Sequence, residues 1–222
     1  MELDREQVIR IIEEEKAIAI LRGGQGKDAL NLAEALSAGG IKLMELTFDQ
    51  KDEDARKKTV IDIAMLNEAL GDKMLFGAGT VTSKEMVRMA YSAGARFIIS
   101  PDTNPDVIRL TRELGLVSIP GAFTATEVMT AYRAGADFVK LFPADLGGPA
   151  YIKALKAPLS QVKLLAVGGV KVENVTDYLK AGAVGAGLGS CLFTPAQIRN
   201  GEWETITENA RRLKQALGKE SE

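Results

Sequence analysis

Phe138-Val139-Lys140-Leu141-Phe142-Pro143 is an apolar run with one ammonium near its centre. As a strand it alternates, with Phe138, Lys140 and Phe142 on one face and Val139 and Leu141 on the other. Both faces are then apolar, the mark of a parallel strand covered on both sides. A helix precedes it. Thr124-Ala125-Thr126-Glu127 matches a capping box, and Ala134-Gly135 reads as a C-terminal stop.

This helix-then-strand unit repeats along the chain. Strands are expected at Ala17–Arg22, Leu43–Phe48, Met74–Gly79, Phe97–Pro101, Val117–Gly121, Phe138–Pro143, Leu164–Gly169 and Gly185–Ser190. Their starts lie about 20 to 31 residues apart, which suits βα units. Ala-Gly stops recur at Ala38-Gly39, Ala93-Gly94 and Ala181-Gly182, before further strands. Thr82-Ser83-Lys84-Glu85 reads as a second capping box, and Asn104-Pro105 places a cap before a proline at the first helical position. An extra helix from Asp4 to about Lys16 precedes the first strand, and Trp203 to Leu217 forms the last helix. Eight such units with no linker over residues 1–222 predict a single-domain (β/α)₈ TIM barrel of the α/β class with an extra N-terminal helix. Only Gly218 to Glu222 reads as frayed. The rival, an open doubly wound sheet, lacks its fingerprint. Gly23-Gly24-Gln25-Gly26 misses the third glycine and the distant acidic partner, and Gly77-Ala78-Gly79 runs into Thr80-Val81-Thr82.

Composition narrows the chemistry. With 28 Lys and Arg against 30 Asp and Glu the net charge is −2, so nucleic acid is not an expected partner. No stretch approaches a membrane span. The charged start Met1-Glu2-Leu3-Asp4-Arg5-Glu6 does not read as a secretory signal, and the single cysteine, Cys191, suits a reducing cytoplasm. There is no histidine, which excludes imidazole-based triads. Zinc sites normally need His or several Cys, and a carboxylate-only Mg²⁺ site stays open. Acid–base work falls to Glu, Asp, Lys, Tyr or water.

In a barrel the functional groups gather at the C-terminal strand ends. Those ends supply Arg22, Thr80, Pro101, Gly168-Gly169 and Gly189-Ser190, with Glu45 and Lys140 as lone charges inside apolar strands. A lysine in such a strand can simply snorkel its head into water, which is its commoner fate. Buried, it loses hydration, its neutral form is favoured, and a neutral amine attacks carbonyls. A buried Lys–Glu pair could also merely fix register, but such pairs rarely stabilise more than apolar packing does. Arg22, alone a surface charge, becomes beside Glu45 a clamp for a carboxylate. Glycines can simply turn the chain, yet at strands seven and eight they also let backbone N–H groups approach a phosphate. Cys191, flanked by Leu192 and Phe193, reads as core packing.

Taken together, Ala19-Ile20-Leu21-Arg22, Glu45-Leu46-Thr47-Phe48, Gly77-Ala78-Gly79-Thr80-Val81, Ile99-Ser100-Pro101, Ile119-Pro120-Gly121, Lys140-Leu141-Phe142-Pro143-Ala144, Val167-Gly168-Gly169-Val170 and Gly187-Leu188-Gly189-Ser190 run in one order over nearly the whole chain. The sequence resembles the class I, Schiff-base-forming aldolases for 2-keto-3-deoxy-6-phosphogluconate and 4-hydroxy-2-oxoglutarate. The resemblance implies Lys140 as the Schiff-base lysine and Glu45 as the general acid/base, with no metal and no organic cofactor required. Arg22, Thr80, Pro101 and Phe142 would contact a small keto-acid substrate, Gly168, Gly169, Gly189 and Ser190 its phosphate, and the protein would be a homotrimer. One position departs from the pattern. Some members carry an arginine four residues after the glutamate, where this chain has Asp49, whose charge would repel a substrate carboxylate. The rival readings are another phosphate-binding barrel enzyme (an isomerase or a thiamine-phosphate-synthase-like transferase) and a non-catalytic sugar-phosphate binder or scaffold.

Overall fold

The computed structural model describes residues 3–23 and 26–218. Gly24 and Gln25 of the first glycine-rich stretch, the first two residues of the charged start and the end of the expected frayed tail lie outside them.

The strands are β1 (Ala17–Leu21), β2 (Leu43–Thr47), β3 (Leu75–Gly79), β4 (Phe97–Ile99), β5 (Val117–Ile119), β6 (Gly121–Ala122), β7 (Val139–Leu141), β8 (Leu164–Val167) and β9 (Ala183–Leu188). Every pairing is parallel, in the order β5-β4-β3-β2-β1-β9-β8-β7-β6. The two ends of that order are halves of one expected strand, Val117–Gly121. Proline has no N–H to give a ladder, so Pro120 interrupts it. Its carbonyl still accepts from the Lys140 amide at 2.8 Å, while β5 pairs with β4 and β6 with β7. The barrel closes through this interrupted strand. Each expected strand is present, most of them a residue or two shorter.

Helices alternate with the strands. Those used below are α1 (Arg5–Glu15), α2 (Lys27–Ala38), α3 (Glu53–Leu70), α4 (Lys84–Ser92), α5 (Pro105–Glu113), α6 (Ala125–Arg133), α7 (Ala144–Lys156), α8 (Val175–Lys180), α9 (Pro195–Asn200) and α10 (Trp203–Gly218). The capping box at Thr124 forms as expected, and Asn104 caps α5 ahead of Pro105. The box expected at Thr82 does not form. Ser83 is the N-cap of α4 and accepts from the Met86 amide, while the Thr82 hydroxyl turns to Gln50. The Ala-Gly stops all end helices, with Gly94, Gly135 and Gly182 at positive φ, where glycine carries no Cβ penalty. The short helix α9 was not expected.

Two apolar cores result. One lies between the outward strand faces and the surrounding helices. The other fills the barrel, where Ile18, Leu43, Leu75, Phe97, Val117 and Phe138, all near strand starts, meet Val8, Ile9 and Ile12 of α1. The N-terminal helix thus plugs the N-terminal end of the barrel. Asp4 and Gln7 fix its entry by a reciprocal capping box, and Lys16, at φ 57°, ends it. What remains open is the C-terminal mouth.

Candidate active site

Lys140 is the central residue of β7, with Phe138 packed into the barrel two residues before it. Alternation therefore turns Lys140 inward. It is 4% exposed, and its Nζ lies 4.9 Å from the centroid of the Phe142 ring on the same face. Glu45, the central residue of β2, is 1% exposed. Both of its carboxylate oxygens are buried without a hydrogen-bond partner among the described residues. A buried polar group without a partner costs stability and needs a reason.

Glycine makes the space for that carboxylate. A Cβ on Gly79 would overlap Glu45 Oε1, and one on Gly77 would overlap the Phe97 ring. Gly77-Ala78-Gly79, which failed as a nucleotide fingerprint, thus serves to let β3 lie against Glu45 and Phe97.

The electrostatics follow from burial. Lost hydration pushes the Lys140 ammonium below its ordinary range, Glu45 opposes this, and Arg22 adds to it. Lost hydration raises the Glu45 carboxyl, against the charges of Lys140 and Arg22. Each partner favours the other's charge, and burial outweighs both. The site therefore holds an amine that deprotonates unusually easily and a carboxyl that keeps its proton unusually long.

Above this pair opens a cavity of about 600 Å³. Arg22, Phe142, Gly168, Gly169, Gly189 and Ser190 all line it. Lys140 and Glu45 are not among its lining residues; both stay buried, Lys140 two residues before Phe142 and Glu45 in register with Ile20, and Phe142 and Ile20 do line it. Gly168 and Gly169 have φ 96° and 70°, and a Cβ on Gly169 would overlap Asp145. These positions need glycine, and their bare backbone faces the cavity. A smaller cavity of about 320 Å³ lies beside it, bordered by Arg22, Asp49, Gln50 and Thr80. Thr80 is a β-branched residue at φ 55°, a strained conformation that clusters at functional sites.

Of the expected residues, Pro101 is not brought in. Its ring is exposed and lines neither cavity, and its carbonyl instead abuts Gly121, where a Cβ would clash. Asp49, the position that departs from the family pattern, borders the smaller cavity beside Arg22. Its carboxylate is exposed and accepts from the Lys51 and Asp52 amides at 2.7 and 2.9 Å, which hold it low in pKa and turned into its own loop. Cys191 packs against the outer core, and burial raises its thiol. Sequence reading missed the wall formed by α9, including Ile198 and Arg199. The signal was Thr194-Pro195-Ala196-Gln197, a capping box with proline at the first helical position. Among the described residues no three His, Cys, Asp or Glu side chains gather as a metal set.

The profile of the KDPG and KHG aldolase family matches residues 8–209. The chain belongs to that family. The 2-dehydro-3-deoxy-6-phosphogalactonate aldolase of Escherichia coli (strain K12) is 40% identical over 81% of this chain and 85% of its own length. The 2-dehydro-3-deoxy-phosphogluconate aldolase of Treponema pallidum (strain Nichols) is 33% identical over 95% and 98%. Among solved structures, the KDPG aldolase from Legionella pneumophila, with pyruvate captured as a covalent carbinolamine, superposes with a TM-score of 0.83 at 30% identity, covering 96% of this chain and 99% of that one. As a family member the chain is an aldolase, a carbon–carbon lyase.

Proposed function

We propose that this aldolase cleaves a 2-keto-3-deoxy-6-phospho sugar acid to pyruvate and glyceraldehyde 3-phosphate, with 4-hydroxy-2-oxoglutarate, giving pyruvate and glyoxylate, as a second substrate. The observation that carries the reading is the buried, partnerless Glu45 carboxylate in the same barrel interior as the desolvated Lys140 amine.

Neutral Lys140 Nζ adds to the C2 ketone, and loss of water leaves an iminium whose positive nitrogen is an electron sink. Glu45, through a water, removes the proton of the C4 hydroxyl. The C3–C4 bond breaks, its electrons settle in an enamine, and the aldehyde departs. Glu45 then returns a proton to C3, and water hydrolyses the iminium to free pyruvate and Lys140. A carboxyl whose pKa is raised towards the working pH suits both directions of that transfer. Arg22 faces the substrate carboxylate, and Gly168, Gly169, Gly189 and Ser190 present N–H and hydroxyl donors to the phosphate. The relatives include aldolases for both the galacto and the gluco acids.

The test is pyruvate with borohydride, followed by peptide mass mapping. The expected outcome is a reduced pyruvate adduct on the peptide carrying Lys140 and none in Lys140→Ala. An isomerase, a transferase or a passive binder would leave the mass unchanged. A homotrimer in the cytoplasm completes the proposal, and sedimentation at three times the monomer mass is the result expected. Among the described residues no helix is long and apolar enough to cross a membrane.

A further inference from the structure

Thr80 follows β3 at the mouth of the barrel, and its backbone is gripped from several sides. The carbonyl before it, on Gly79, accepts from the Phe48 amide at 2.8 Å, and the amide after it, on Val81, donates to the Ile99 carbonyl at 3.2 Å. Its own carbonyl accepts from Gln50 Nε2 at 2.7 Å. The Gln50 amide is itself oriented, because its Oε1 accepts from the Thr82 hydroxyl at 2.8 Å. The Thr80–Val81 peptide is therefore held at its N–H by β4 and at its carbonyl by the β2–α3 loop. The Thr80 hydroxyl makes no hydrogen bond to another described residue, and Gln50, Thr80 and Arg22 border one cavity.

We propose that Gln50 is a positioning residue: its side-chain amide, set by Thr82, clamps the Thr80 carbonyl and keeps Thr80 in the left-handed conformation that points it at the keto-acid end of the substrate. This rests on the aldolase reading of the site. Threonine adopts φ 55° only under constraint, whereas glycine does so freely. Without the clamp the peptide can rotate and Thr80 leaves its place. A group misplaced by about 1 Å can cost on the order of 100-fold in rate.

The experiment uses the full chain and measures the rate of pyruvate trapping by borohydride on Lys140, kcat/KM for the phosphorylated keto acid, and the melting temperature. Gln50→Ala should slow trapping and lower kcat/KM by roughly ten- to a hundredfold, with little change in melting, because Gln50 is exposed. Gln50→Glu should not rescue, since a carboxylate keeps the bond from Thr82 but cannot donate to the Thr80 carbonyl. Thr82→Val should fall the same way by less. In a Thr80→Gly background, Gln50→Ala should add no further loss. The inference is overturned if Gln50→Ala traps pyruvate at the wild-type rate, if Gln50→Glu restores it, or if the losses in the double variant multiply. A wild-type chain that forms no adduct overturns the aldolase reading and this inference with it. An active wild type beside an equally active Gln50→Ala overturns the inference alone.

Discussion

At the scale of single residues, the roles proposed for Glu45 and Lys140 set stability against reactivity. The folded pKa of Glu45 lies above its unfolded value, so its contribution favours folding below the unfolded pKa and is lost as pH rises through the folded one. Lys140 is the mirror case. Its folded pKa is depressed, and its contribution, present above the unfolded pKa, is lost as pH falls through the folded one. Glu45→Gln should therefore unfold at higher denaturant than wild type on the alkaline side of the Glu45 titration, and the advantage should vanish towards acid. The same variant should lose on the order of 10²–10⁴-fold in turnover, the worth of a placed acid–base group. Equal stability of variant and wild type across that pH range would refute the burial argument. A second outcome follows from the coupling. Lys140→Met removes the charge that holds Glu45 down, so the Glu45 carboxyl, followed by carbon-13 NMR, should titrate higher still. A downward move would mean that the two groups do not sense each other.

At the scale of elements, the glycines of β3 decide whether Glu45 fits. Gly79→Ala places a methyl on Glu45 Oε1 and must displace that carboxylate or the strand. Overpacking of this kind costs about 1–3 kcal/mol. Turnover should fall at least as far as in Glu45→Gln, while Gly115→Ala, at a helix stop with open space around it, should leave turnover intact. Comparable turnover in Gly79→Ala and wild type would sink this account. Such close approaches are where the sequence stopped being legible. Alternating apolar runs and Ala-Gly stops revealed eight strands because burial and helix termination act through local residue type. That Gly77 and Gly79 exist to admit a ring and a carboxylate from neighbouring strands depends on register, which no local pattern encodes. Pro120 could be read as a strand breaker, but not that its carbonyl would carry the ladder on to Lys140. Ser83 outcompeted Thr82 as a cap because the Thr82 hydroxyl had a partner 32 residues away in Gln50. The helix α9, six residues long, is too short for periodicity to show. The glycines and serine of the last two strand ends did converge on one cavity with Arg22, as the barrel geometry implied, whereas Pro101, read from the end of the fourth strand in the same way, turned its carbonyl to Gly121.

At the scale of the whole molecule, the two ends of the barrel do different work. The N-terminal end is closed by α1, whose Val8, Ile9 and Ile12 sit on the strand starts, while the residues proposed for chemistry occupy the middle and the C-terminal mouth. Interior packing of the lower layer must support the Lys140 layer, because Phe138 and Lys140 are two residues apart on one face of β7. Ile12→Ala leaves a cavity in the interior core and should cost roughly 2–5 kcal/mol, seen as a fall in melting temperature of about 2–4 °C for each kcal/mol in a chain of this size. Turnover per folded molecule at a temperature well below the transition should stay at the wild-type value, and the trapped pyruvate adduct should still map to Lys140. A proportional loss of kcat at full folding would mean that the plug transmits strain to the amine, and the division of the barrel into a stabilising floor and a reactive mouth would have to be given up.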